Sequence, residues 1–272
     1  MKNRWKKTCI AALLVVCLCT LGGWSAPQRA DAAPERFGDV ALLSAHAAET
    51  ISYTKKDDSV KNTTPNNVPK YQDRDGLSNA CGAVAGAVIV GYYDKYAPDL
   101  IGGWSSHFSS GKYRNQDATY VPAVIRQLYS DMRTNVDGKG VSESDFLNGM
   151  RLYAANRNLT SSFDRVATSS QLDFNACKAA IDNKKVLVLF AHAGNVYKIK
   201  PDTQCDILDT VAASDSHIMV AYGYLQIKYY NASGLFRTDT YLQVALTEDH
   251  SFMYYYKITP HNLLSAYAVN FL

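Results

Sequence analysis

Two residues far apart in this chain have side chains that could do nucleophilic chemistry together. Cys81 heads the run "SNACGAVAGAVIVGYYDKY", residues 78–96, and His217 opens the strand-like "HIMVAYGY". A thiolate is a strong nucleophile. An imidazole within reach of it can take up its proton and later protonate a leaving group. The bland alternative is structural, since a cysteine is often a small buried hydrophobe and a lone histidine on a strand is more often structural than catalytic. Two features of the cysteine run favour chemistry. Asn79 is a good N-cap residue, which puts Cys81 in the first turn of a helix, where unsatisfied N–H groups and the macrodipole favour a thiolate. Gly82, Ala83, Ala85, Gly86 and Ala87 leave one helix surface almost without bulk, so that a neighbouring layer can pack close and leave the cysteine at a cleft rim. His107, His192, His250 and His261 are rivals to His217. "AHAGN" at His192 is the strongest, but the glycine–tyrosine strand that follows His217 is missing there.

Four helical segments come first among the elements that must position this pair. "SNACGAVAGAVIVGYYDKY" is one, and "YVPAVIRQLYSDM" carries Val121, Val124, Ile125, Leu128 and Met132 on one face. "SESDFLNGMRLYAANRN" begins at Ser142 or Ser144 and carries Phe146, Leu147, Met150, Leu152 and Tyr153. "SSQLDFNACKAAIDNKK" carries Leu172, Ala176, Ala179, Ala180 and Ile181. The texture then turns β-branched and aromatic, in "VLVLFAH", "HIMVAYGYLQIKYY", "TYLQVAL" and "SFMYYYKI", with turn signals such as "NASG" between them. Helices followed by antiparallel strands make an α+β domain of two unlike layers. A cleft between such layers is a common place for a site.

The start of the chain reads as an export signal. Lys2, Arg4, Lys6 and Lys7 precede the apolar "CIAALLVVCLCTLGGW", and "ADAA" offers a small-x-small cleavage site near Ala32–Ala33. The apolar run is shorter than the ~20 residues a membrane helix needs, and the residues before Cys17 make a poor lipoprotein site. The expectation is a signal over 1–32, a spacer or short propeptide over 33–66, and one domain over 67–272, secreted and without stable membrane insertion. "DVALLSAHAAE" in the spacer reads as a short helix or a frayed tail.

Removing the signal changes the charge balance. Five of the 28 Lys and Arg residues and one of the 25 acids, Asp31, precede Ala33, which leaves 23 basic against 24 acidic side chains. The apparent basicity therefore gives no reason to expect a nucleic-acid or membrane partner. Of six cysteines, Cys81, Cys177 and Cys205 lie beyond the signal, an odd number for an oxidising setting. A Cys177–Cys205 disulfide would leave Cys81 as the odd thiol, although "NACKAAI" equally reads as a buried cysteine on a helix face. No zinc-peptidase, phosphate-loop or serine-elbow motif is present, and no metal or cofactor is expected.

Beyond these readings, "VPKYQDRDGLSNACGAVAGAVIVGYYDKY" resembles the start of papain-like cysteine peptidases of the bacterial double-glycine leader peptidase-like branch. "KAAIDNKKVLVLF" resembles the helix–strand unit before their histidine, and "SHIMVAYGYLQI" the histidine strand itself. His217 follows Cys81 by 136 residues, inside the roughly 130–150 of papain-type enzymes. The resemblance spans about residues 67–258 and implies a papain-like fold, a helical N-terminal part packed on a C-terminal antiparallel sheet. It implies Cys81 as nucleophile, His217 as general base and acid, Gln72 as oxyanion donor beside the Cys81 N–H, and Asp249 as the group orienting His217. Gln72 stands nine residues before Cys81, farther than the family places its glutamine. Either "RDGL" loops out to restore the geometry or Asn79 takes the role. The implied activity is hydrolysis of a peptide or protein substrate. A cell-wall peptide amidase and a catalytically dead peptide-binding domain are the alternatives.

Overall fold

The computed structural model describes residues 36–37, 42–46, 55–62, 68–73, 75–97, 100–104, 108–109, 112–113, 119–192, 194–200, 207–213, 216–246 and 254–272. Among them the four helical segments form α1 (Cys81–Tyr93), α2 (Tyr120–Asp131), α3 (Glu143–Ala155) and α4 (Phe174–Asp182). Start signals explain two of them. The Ser142 hydroxyl accepts from the Asp145 N–H at 3.1 Å, and Glu143 and Asp145 add negative charge at the positive end of α3. The Asp173 carboxylate accepts from the Ala176 N–H at 2.8 Å and opens α4. Val121, Val124, Ile125 and Leu128 are buried along α2 as their spacing predicts. On α3, Phe146, Leu147, Met150 and Tyr153 are buried, but Leu152 faces solvent.

A small strand β1 (Arg36–Phe37) pairs with β6 (Val141–Ser142), and β4 (Phe108–Ser109) pairs with β5 (Lys112–Tyr113). The remaining described strands build one antiparallel sheet. They are β2 (Leu42–His46), β3 (Lys55–Asn62), β7 (Ser161–Thr168), β8 (Leu187–Ala191) and β9 (Gly194–Lys200), then β10 (Ile207–Ala213), β11 (His217–Asn231), β12 (Gly234–Ala245), β13 (Tyr254–Tyr256) and β14 (Leu263–Phe271). The order runs β2-β10-β9-β13-β12-β11-β8-β14-β7, with β3 joining β11 off this path. The α+β class and the antiparallel sheet agree with the sequence reading.

The long strand β11 organises the sheet. One of its edges pairs with β12, while the other pairs first with β8, over His217–Ala221, and then with β3, over Gly223–Tyr230. Ile218, Val220 and Tyr222 enter the core formed with α1, α2 and α3; Met219 and Ala221 enter the opposite core, which includes Cys177, Ala180 and Ile181 of α4. The central strands are thus covered on both faces. That is why β14, "LLSAYAVNF", reads as a nearly continuous apolar run and shows no alternation.

Segment 33–66 departs from the expected spacer. "DVALLSAHAAE", read as helix or frayed tail, supplies Leu42–His46 as a strand paired with β10, and the polar stretch after it supplies Lys55–Asn62 as a strand along β11. "KKDDSVKN" has little strand propensity of its own. Its conformation comes from the N–H and C=O groups that the second half of β11 offers once β8 has ended. All described strands and helices belong to one compact unit, Pro34–Leu272.

Candidate active site

Helix α1 is apolar all round because every side of it is covered: all thirteen of its residues are buried. Its glycines admit three different neighbours. A Cβ on Gly91 would lie 2.5 Å from the Tyr71 Oη, one on Gly86 2.8 Å from Met132 Cε, and one on Gly82 2.5 Å from Val141 Cγ1 and 3.3 Å from Ile218 Cδ1. The last contact matters most, because it sets the residue after Cys81 against the residue after His217.

The direction of α1 over the sheet follows from its two ends. At the C-terminal end the Tyr92 hydroxyl donates to the Lys184 carbonyl at 2.7 Å, just before β8 begins, and the Tyr93 hydroxyl donates to the Val269 carbonyl. At the N-terminal end Gly82 meets Ile218, whose partner across the ladder is Phe190, near the end of β8. The helix therefore runs parallel to β11. Its head stands where β8 ends and β11 begins, and Cys81 is its first residue, as the sequence predicts.

The cap differs from expectation. Ala80, not Asn79, holds the N-cap position, and its methyl group caps nothing. Asn79 adopts φ 56°, and its amide donates to Asn135 Oδ1 at 2.8 Å and to the Gly138 carbonyl at 3.5 Å. Those bonds turn the Asn79 side chain toward the turn before β6, so it serves neither as cap nor as oxyanion donor. With no side-chain cap and no acidic residue in the first turn, the positive end of α1 keeps its full effect at Cys81.

The Cys81 side chain is also more enclosed than a cleft rim implies. Cys81 is 0% exposed and His217 2% exposed. Burial disfavours a lone thiolate, whereas a helix N-terminus and an adjacent imidazolium favour it. Alternation along β11 puts His217 on the Met219 side of the strand, opposite the face on which Ile218 meets Gly82 of α1. His192 follows β8 directly and is half-buried, and its N–H donates to the Asn262 carbonyl at 2.9 Å. Because Ala191 pairs with His217, both histidines stand at the end of the sheet on which α1 begins. The sequence ranks His192 second, and pairing register is the signal that brings it to this end.

Gln72 is half-buried between two anchors. Tyr71 before it reaches Gly91, while Asp73 after it accepts the N–H groups of Asp75 and Leu77. Asp249 lies outside the described residues, as does Cys205. Cys177 is a buried thiol on α4 without a disulfide, and burial, followed by the charge of Asp173, pushes it up to about 12. The disulfide reading of Cys177 therefore falls. In native protein Cys177 should stay unmodified by iodoacetamide even at about pH 9, and it should react readily once the chain is unfolded. Mass spectrometry of its tryptic peptide checks this.

Compared with protein-family models, with curated proteins and with solved structures, the chain finds no match.

Proposed function

We propose that the protein is an exported cysteine peptidase of papain-like type, which hydrolyses peptide bonds in peptide or protein substrates. The observation that carries this reading is the meeting of two element starts, Gly82 of α1 against Ile218 of β11, which sets Cys81 and His217 at one end of the sheet. In the proposed reaction His217 takes the Cys81 proton and the thiolate attacks the scissile carbonyl carbon. The carbonyl electrons move onto oxygen, where the Cys81 N–H and the Gln72 amide receive them. As the tetrahedral intermediate collapses, the C–N bond breaks and the His217 imidazolium protonates the departing amine. Water, deprotonated by His217, then attacks the thioester and releases the acid and the thiolate. Asp249 is the proposed acceptor that orients the His217 ring.

A second reading is favoured by the burial of both residues: a papain-like domain that binds peptides and no longer cuts them. The test is turnover of a fluorogenic unfolded protein and of cross-linked cell-wall peptide fragments, by wild type and Cys81→Ala. Cleavage of the unfolded protein that Cys81→Ala abolishes supports the peptidase. Cleavage of wall fragments alone favours an amidase. No cleavage of either supports the binding domain.

A further inference from the structure

The path of the sheet ends on β7, and the last residues of that strand leave a cavity of about 320 Å³ against the start of α4. That volume is at the small end for ligand sites, enough for one compact molecule.

The polar groups that line the cavity are held in place but only partly used. Arg165 donates from Nε to the Tyr267 hydroxyl at 2.7 Å and from Nη2 to Glu143 Oε1 at 3.0 Å. Those bonds fix the guanidinium plane and leave Nη1 uncommitted among the described residues. Asp173 Oδ1 accepts the Ala176 N–H at 2.8 Å, while Oδ2 bonds to no described residue. Thr168 and Gln171 exchange backbone bonds at 3.0 and 3.1 Å, so the Gln171 backbone is fixed while its exposed side chain bonds to no described residue. The ladder to β14 steps from Arg165–Tyr267 to Ala167–Ala266. Val166 is therefore the extra residue of a bulge and has no partner across the ladder.

A guanidinium and a carboxylate in one small cavity select against ions of a single sign. An anion drawn to Arg165 is repelled by Asp173, and a cation drawn to Asp173 is repelled by Arg165. A zwitterion satisfies both. The remaining wall is apolar, and its two alanines, Ala167 and Ala176, are small enough to leave room for a branched aliphatic side chain. We infer that the cavity binds a free aliphatic α-amino acid, with its carboxylate on Arg165 Nη1, its ammonium on Asp173 Oδ2 and its side chain over Ala167 and Ala176. The site uses neither Cys81 nor His217.

The test is saturation-transfer-difference NMR with leucine, titrated onto the full chain. Leucine should bind saturably. Its two singly charged analogues, isocaproate without the ammonium and isoamylamine without the carboxylate, should each bind at least about tenfold more weakly, the usual worth of one charge-assisted bond. Asp173→Asn, which keeps a good cap on α4, and Arg165→Gln should each weaken leucine binding by about tenfold. Ala176→Leu, which fills the cavity from a half-buried position, should abolish it. Hydrolysis is not read, so failure here leaves the peptidase reading standing. The inference is overturned if the folded chain shows no saturable leucine binding or if either analogue binds as well as leucine. It is equally overturned if Asp173→Asn or Ala176→Leu binds leucine like wild type. Should Arg165→Gln fail to fold, those two variants decide.

Discussion

Replacing His217 with alanine should lower peptide hydrolysis by about 10³-fold, the usual worth of a positioned acid–base group, with the fold retained. Cys81→Ala should remove turnover altogether, because no other described thiol stands at this end of the sheet. The informative companion is His192→Ala. Register sets both histidines where α1 begins, so composition alone does not choose between them. The proposed mechanism assigns both proton transfers to His217, and His192→Ala should therefore stay within about threefold of wild type. Steady-state kinetics on a fluorogenic peptide, with circular dichroism as the check on folding, measures all three. If the two histidine variants exchange effects, the base has been misassigned and the nucleophile has not.

Gly149→Ala should be the most damaging single-methyl change in the helical layer, costing about 3 kcal/mol by overpacking. A Cβ there would lie 2.7 Å from the Met132 N and 2.8 Å from its Cα, which are backbone atoms at the end of α2 and cannot step aside. The helix-propensity gain of about 1 kcal/mol offsets only part of that. Gly86→Ala provides the contrast. Its nearest atoms are Met132 Cε and Met150 Sδ, at 2.8 and 3.0 Å, the mobile ends of flexible side chains. That change should fall within about 1 kcal/mol of wild type, since a methionine can swing to make room. Urea unfolding of both variants reads the difference. Equal destabilisation would mean that the contact between α2 and α3 is more plastic than its geometry implies.

The parts legible in the sequence are those whose signal is local. The run from Cys81 to Tyr93 is apolar throughout and is buried throughout, and the alternation after His217 correctly separates Ile218 and Val220 from Met219 and Ala221. Ser142 and Asp173 cap α3 and α4 through neighbours three residues away. What stayed hidden depends on distant partners. Asn79 has the composition of a cap, but Asn135, 56 residues on, claims its amide. Lys55–Asn62 is polar and becomes a strand only because β11 outruns β8 and leaves an open edge. Ser161–Thr168 is likewise polar and is held by β14 alone among the sheet's strands. The burial of Cys81 was hidden for the same reason, since small residues at 82–87 suit a cleft rim and a covered helix equally well. Which of these holds is settled by Val141, Phe146 and Ile218 closing on Gly82.

The proposed peptidase requires a thiolate–imidazolium pair between Cys81 and His217. It is tested by the pH dependence of Cys81 alkylation by iodoacetamide, followed on its own tryptic peptide, in the wild-type protein and in His217→Ala. Cys177, pushed up to about 12, stays silent over the range. Cys81 should be alkylated fast well below the free-cysteine value of about 8.5, and His217→Ala should lose that low-pH limb. Reaction of Cys81 only near or above that value in both proteins, or no reaction while the chain is folded, would contradict it and make Cys81 a buried structural residue.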